Sequence, residues 1–255
     1  MSLTAENYFS QESNQEFMSV SQFKSFMECE TKALAALNGD YTEPMSTALL
    51  VGSYVDAHFE GTLDIFKAKH PELFTKKGEL KSDYKQAEEI IFRVERDNLF
   101  MSLMSGEKQV IMTGKILEVP FKIKIDSYHP NVSTVDLKVM KDFERIWNPE
   151  IHFRESFVES WGYDIQGAVY QEIVRQNTGL QLPFYIAAAT KEKETDIAAM
   201  EIKQERLDFC LDIVKRDLGR VMLVKKGEVE PHRCEKCDYC KKTKQLTEIV
   251  DYTEV

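Results

Sequence analysis

The sequence predicts an α/β protein of the α+β kind, with a mixed central β-sheet flanked by helices and a cysteine-rich C-terminal tail. Three observations carry this expectation. Apolar residues recur at helical spacing up to about Met104. The period changes to two between Gln109 and Met140. Helical and strand-like runs then alternate from Ser156 to Lys225.

The elements follow in order. Residues 1–17 are polar and are expected to be flexible. They lack the basic-then-apolar layout of a secretory signal. A helix is expected from Ser21 to Leu37, capped by Ser19 or Ser21 and ended by Asn38-Gly39, with Phe23, Phe26, Leu34 and Leu37 on its apolar face. A second spans Thr47 to about Ile65. Lys67–Lys81 carries the breakers His70-Pro71 and Lys77-Gly78 and reads as a loop. A third helix runs from about Asp83 to Met104. Strands are expected at Gln109–Leu117, Val119–Tyr128 and Ser133–Met140, paired as a meander. A long helix from Ser156 to Asn177, short strands at Leu182–Thr190 and Ile197–Ile202, and a helix from Gln204 to Lys225 complete the reading. The expected domain is 18–228, with a tail at 229–255.

Composition narrows the class. The chain has 255 residues, 43% apolar and 30% charged, as a soluble globular protein would. No apolar run reaches membrane-spanning length, so a cytoplasmic protein is expected. Net charge is −10, which opposes bulk non-specific binding to nucleic acid. Local basic clusters, such as Lys122, Lys124, Lys138 and Lys141, still allow it. Of five cysteines, Cys234, Cys237 and Cys240 form C-x2-C-x2-C, a metal-ligating spacing. Cys29 or His232 could complete that set, as zinc or an iron–sulfur cluster, while Cys210 reads as a core thiol.

The residues that carry chemistry sit on the strands. Asp126 ends one strand, and Asp136-Leu137-Lys138 lies inside the next. Hard carboxylate oxygens suit Mg²⁺ or Mn²⁺, with the Leu137 carbonyl as a further oxygen, and a lysine can stabilise charge that builds on phosphorus. D-x-K alone is common on surface strands, where it is merely a salt bridge. Support comes from elsewhere. Asp56 and Glu60 share one helical face, and His58 points away from it. Gln166 and Tyr170 share another, able to align a strand or the carboxylates by hydrogen bonds. Trp161 and Tyr163 could stack on bases.

Taken in order, these motifs resemble the PD-(D/E)XK nuclease superfamily in its RecB-like branch, in particular phage-type exonucleases of the exonuclease VIII (RecE) group. The serine-rich helix start from Ser19 to Cys29 matches the family's opening. Gly52 through Asp56 matches G-x-x-x-H with aspartate in place of histidine, and Glu60 follows. Asp126 matches the central aspartate, Asp136 and Lys138 the D/E-x-K, and Gln166 and Tyr170 the Q-x-x-x-Y.

The resemblance implies a restriction-endonuclease-like core and a metal-dependent exodeoxyribonuclease acting on linear double-stranded DNA ends, in phage or prophage recombination or repair. Asp56, Asp126, Asp136 and Leu137 would hold Mg²⁺ or Mn²⁺. Lys138 would position water, and Gln166 and Tyr170 would align strand and site. Cys29, Cys234, Cys237 and Cys240 would hold a [4Fe–4S] cluster, with Zn²⁺ the alternative, tying the tail to the N-terminal helix. A single-strand annealing protein and a homo-oligomer are the implied partners. A non-catalytic nucleic-acid-binding protein with a zinc knuckle, and an endonuclease on the same fold, are the rival readings.

Overall fold

The computed structural model describes residues 2–149, 151–246, 248–249 and 251. Thr247, Val250 and 252–255 of the expected tail therefore lie outside the described residues.

The elements are α1 (Gln11–Glu16), α2 (Val20–Glu28), α3 (Glu30–Asn38), α4 (Thr47–Glu60), α5 (Leu63–Lys69), a 3-10 turn at Pro71–Leu73, α6 (Ser82–Glu95) and α7 (Asn98–Leu103). Then come β1 (Glu107–Ile116), β2 (Val119–His129), β3 (Ser133–Met140), β4 (Ile146–Asn148), β5 (Phe153–Glu155), α8 (Phe157–Ser160) and α9 (Tyr163–Thr178). The chain closes with β6 (Phe184–Thr190), β7 (Ile197–Glu201), α10 (Gln204–Lys225) and α11 (Asp238–Lys242). Among the described residues, no helix is long and apolar enough to cross a membrane.

The sheet is mixed, in the order β1-β2-β3-β6-β7. The first three strands form the expected antiparallel meander, β3 and β6 are parallel, and β7 returns antiparallel. A parallel pair requires a crossover, and here α8 and α9 supply it. Each face of the sheet is covered by its own core. Phe121, Ile123, Ile125, Phe184 and Ile186 pack with α2, α3, α9 and α10. Val135, Leu137, Ala187 and Ala189 pack with α4, α6 and α7.

β2 and β3 pair only from Ser127↔Val135 to His129↔Ser133. Beyond that the ladder stops. The Asp126 carboxylate takes the place of the next rung, its Oδ2 accepting from the Leu137 N–H at 2.9 Å. The two strands therefore part where Asp126 and Asp136 stand.

Several expectations are corrected. The helix expected from Thr47 to Ile65 ends at Glu60, capped by Gly61 (φ +76°), and α5 follows separately into the expected 67–81 loop. The helix expected from Ser156 to Asn177 is divided at Gly162 (φ +61°) into α8 and α9. The single helix Ser21–Leu37 is two helices, broken at Cys29 (φ −161°, ψ 105°). Cys29 caps both: its N–H donates to the Ser25 carbonyl, and its own carbonyl accepts from Ala33. The span 83–104 likewise divides, because Asp97 caps α7 through Phe100 N–H.

The expected flexible residues 1–17 contain α1, capped by Ser10, with Tyr8, Ser13 and Phe17 buried. Their anchor is the buried Lys122 ammonium. It donates to the Tyr8 carbonyl (2.5 Å), Ser13 Oγ (2.8 Å) and Asn14 Oδ1 (2.7 Å). An ammonium taken out of water needs such partners, and a polar N-terminal segment provides them.

α9 approaches the sheet closely at Gly167. A β-carbon there would meet Phe184 Cδ1 at 2.7 Å and Leu207 Cδ2 at 3.0 Å. Gly167→Ala is therefore expected to destabilise the protein by about 1–3 kcal/mol through overpacking, even though alanine is the better helix former. A lowered denaturant midpoint at constant slope would report this. An unchanged midpoint would show that the helix can shift at no cost.

Candidate active site

Between α2, α4, the parted strands and α9 lies a cleft of about 620 Å³. Asp56, Glu60, Asp126, Asp136, Leu137, Lys138, Gln166 and Tyr170 all line it, so the fold brings together the residues that the sequence singles out for phosphodiester chemistry. Tyr8, Phe9, Ser19, Ser21, Lys24, Lys122 and Lys124 also line it.

Each side chain is held by a neighbouring element. Asp136 is buried in β3, and its Oδ1 accepts from Gln166 Nε2 of α9 at 2.5 Å. Its Oδ2 stands 2.5 Å from Lys138 Nζ. That contact is a short ion pair between a buried carboxylate and a largely sheltered ammonium. Asp126 accepts from Leu137 N–H and, through Oδ1, from Gln109 Nε2 at 3.2 Å. Gln109 Oε1 is buried without a hydrogen-bond partner. Lys138 Nζ lies 4.7 Å from the ring centroid of Tyr163, whose face it covers. Lys24 Nζ donates to the Trp161 carbonyl at 2.6 Å and lies 5.2 Å from the same ring.

The Tyr170 hydroxyl donates to the Lys124 carbonyl at 3.0 Å. It fastens β2 to α9, so its hydroxyl hydrogen is already committed. His58 Nε2 donates to Glu95 Oε1 at 2.8 Å and does not line the cleft, as its place on the helix implies.

Crowding of carboxylates in a sheltered cleft shows in their acidity. Burial, then the charge of Asp136, pushes the Asp126 carboxyl up to about 7. Burial, then the charge of Asp126, holds Asp56 well above the usual carboxylate range. Burial alone would lower Lys138, but Asp136 and Asp126 outweigh it and raise its pKa. Burial and the nearby Lys138 charge lower Lys24. Such a site lacks positive charge.

A divalent cation fits that deficit. The donor set is hard oxygen, three carboxyl groups share one cleft, and Asp56 and Asp126 resist ionising in the presence of their acidic neighbours.

Gln109, Lys24 and the Tyr8–Phe9 wall were not legible as site residues. Gln109 is skipped in the β1–β2 register, with φ +53°, and no sequence signal marks it. Lys24 lies within the serine-rich motif and is reachable only by knowing which face of α2 looks inward.

At the opposite end of α2, the sulfurs of Cys29, Cys234, Cys237 and Cys240 converge within 4.8 Å of one another. His232 is not among them. Its N–H donates to Glu30 Oε2 at 2.6 Å, and its carbonyl accepts from Thr31, so the tail packs on α3. Cys210 is a buried core thiol, pushed up to about 12 by burial and by Asp164.

The chain is similar to known proteins over most of its length. The sequence profile of a PDDEXK-like domain of unknown function (DUF3799) matches residues 19–243. A crystal structure of a provisionally assigned exonuclease from Eubacterium rectale is 53% identical, with a TM-score of 0.95. The match covers 100% of this chain and 98% of that one. SSO0001, another solved structure, is 11% identical over 78% of this chain and 86% of that one, and its TM-score of 0.28 carries no argument. No curated protein matches the chain in sequence.

Proposed function

Because the chain belongs to the PDDEXK-like domain family, we propose that it is a metal-dependent exodeoxyribonuclease that hydrolyses phosphodiester bonds of linear DNA. The observation that carries this reading is the buried Asp136 carboxylate, ion-paired with Lys138 and lining a cleft it shares with Asp126 and Asp56. The relative from Eubacterium rectale, named as an exonuclease, supports it. A place in phage or prophage recombination or repair belongs to the same proposal.

Asp126 and Asp136 would hold Mg²⁺ or Mn²⁺, with Asp56 and the Leu137 carbonyl as further oxygens. When bound, the ion supplies Lewis-acid polarisation of the phosphate and acidifies water. Gln166 fixes the Asp136 plane through Oδ1, while Oδ2 stands beside Lys138. Lys138, pinned between Asp136 and the Tyr163 ring, stays protonated and offsets negative charge that develops on phosphorus. Tyr170 acts on the protein: it holds Lys124 and its strand in place. Lys24 and Lys124, on the cleft wall, would contact the DNA backbone.

The test is digestion of end-labelled linear duplex and covalently closed circular DNA in Mg²⁺ or Mn²⁺. Loss of the linear substrate alone is expected. Cleavage of the circle would make the enzyme an endonuclease, and cleavage of neither would overturn the nuclease reading.

A further inference from the structure

The four clustered thiols have a spacing that discriminates between kinds of metal. Cys29 and Cys240 sulfurs are 3.5 Å apart, and Cys234–Cys240 and Cys237–Cys29 are each 3.9 Å apart. Four thiolates on one tetrahedral zinc, each about 2.3 Å from the ion, stand about 3.8 Å from each other. In a four-iron cluster each thiolate binds its own iron on the outside of a cube. Those sulfurs must stand farther apart than sulfurs that share one ion. We propose that Cys29, Cys234, Cys237 and Cys240 hold a single zinc ion, rather than the [4Fe–4S] cluster that the family resemblance implies.

The local backbone is built for thiolates. Glu235 takes a left-handed conformation (φ +56°) and turns the chain tightly between Cys234 and Cys237. Cys237 N–H then donates to Cys234 Sγ at 3.3 Å, and Cys240 N–H donates to Cys237 Sγ at 3.4 Å. Donation to sulfur stabilises the anionic form that a metal requires. A zinc tetrathiolate carries a formal charge of −2. The loop and α11 that present it carry Arg233, Lys236, Lys241 and Lys242, and Arg233 also fixes the segment by donating to the Cys240 carbonyl at 2.6 Å. The fourth ligand comes from the break between α2 and α3, where the extended backbone of Cys29 turns its thiol toward the tail.

The site has no place in the hydrolysis. Zinc here closes all four positions with protein sulfur, which is the arrangement of a structural site. It ties the tail to the far end of α2, whose near end presents Ser19, Ser21 and Lys24 to the cleft.

The experiment is metal analysis of the full, untagged chain, purified both with and without oxygen. About one zinc per chain in a colourless protein is expected, with zinc-edge absorption showing four sulfur neighbours at about 2.3 Å. Exchange with Co²⁺ should give the strong visible bands of tetrahedral thiolate cobalt, and added Zn²⁺ should bleach them. Cys237→Ser should lose the zinc, while Cys210→Ser should keep it. If Cys237→Ser does not fold, the cobalt exchange on the wild-type chain decides. Four irons with sulfide and a broad brown absorbance would overturn the proposal. So would two disulfides, or free thiols that give no cobalt spectrum. None of these readings depends on DNA cleavage, so the zinc and nuclease proposals can fail separately.

Discussion

Lys138→Ala is expected to slow DNA cleavage by about 10²–10³-fold, with divalent-metal binding retained. The ammonium is held in one place by Asp136 at 2.5 Å and by the Tyr163 ring, so its charge is preorganised and costs nothing to orient during reaction. Alanine removes that charge from the pentavalent phosphorus. It leaves the carboxylates without a counter-ion, a deficit that a bound cation meets. The effect should therefore fall on kcat at saturating Mg²⁺, with KM for DNA little changed. Single-turnover cleavage alongside Mn²⁺ titration separates the two quantities. An unchanged kcat would remove Lys138 from the chemistry.

Asp126→Asn is expected to abolish cleavage, by at least about 10²-fold, and yet to make the metal-free protein more stable. The sign follows from proton uptake. The folded Asp126 carboxyl titrates near 7 and the unfolded one near 3.8. Between those values the folded state binds the extra proton, so stability falls as pH rises through this window, and the full penalty stands above pH 7. Asparagine imitates the protonated acid and escapes the penalty. Its Oδ1 can keep the Leu137 N–H, and its amide can donate to the unpartnered Gln109 Oε1 once that side chain turns. The variant's advantage in unfolding temperature should thus be largest near pH 8 and shrink as pH falls toward 4. Each kcal/mol regained corresponds to about 2–4 °C in a chain of this size. Added Mg²⁺ should stabilise the wild type and not the variant. A variant less stable than wild type at pH 8 without metal would contradict the assignment of Asp126 as a strained, charge-crowded acid.

Both variants rest on residues that the sequence marks out, and the reason is physical. Asp126, Asp136 and Lys138 take the polar positions of strands whose alternation is clean, and Gln166 with Tyr170 keeps helical spacing. Period and spacing are local properties. The site also depends on events that are not local. β2 and β3 part after Ser127↔Val135, and no residue pattern announces it, because the cause is a carboxylate that replaces a ladder bond. The break at Cys29 is hidden because Glu-Cys-Glu contains no helix breaker; tertiary contact with the tail overrides propensity there. The N-terminal wall of the cleft escaped for a similar reason. A polar segment reads as solvated until a buried lysine elsewhere in the chain requires its carbonyls. Tyr170 shows the reverse case: its position was legible, but its hydroxyl bonds to the protein backbone and not toward the cleft.

The most direct measurement is hydrolysis of labelled linear duplex DNA by the wild-type chain and by Asp136→Asn, each with Mg²⁺, with Mn²⁺ and with chelator. Cleavage by the wild type only when metal is present, and its loss in the variant with the fold intact, is the result expected here. Equal cleavage by the variant, or cleavage that survives chelation, would contradict a metal-dependent site built on Asp126, Asp136 and Lys138.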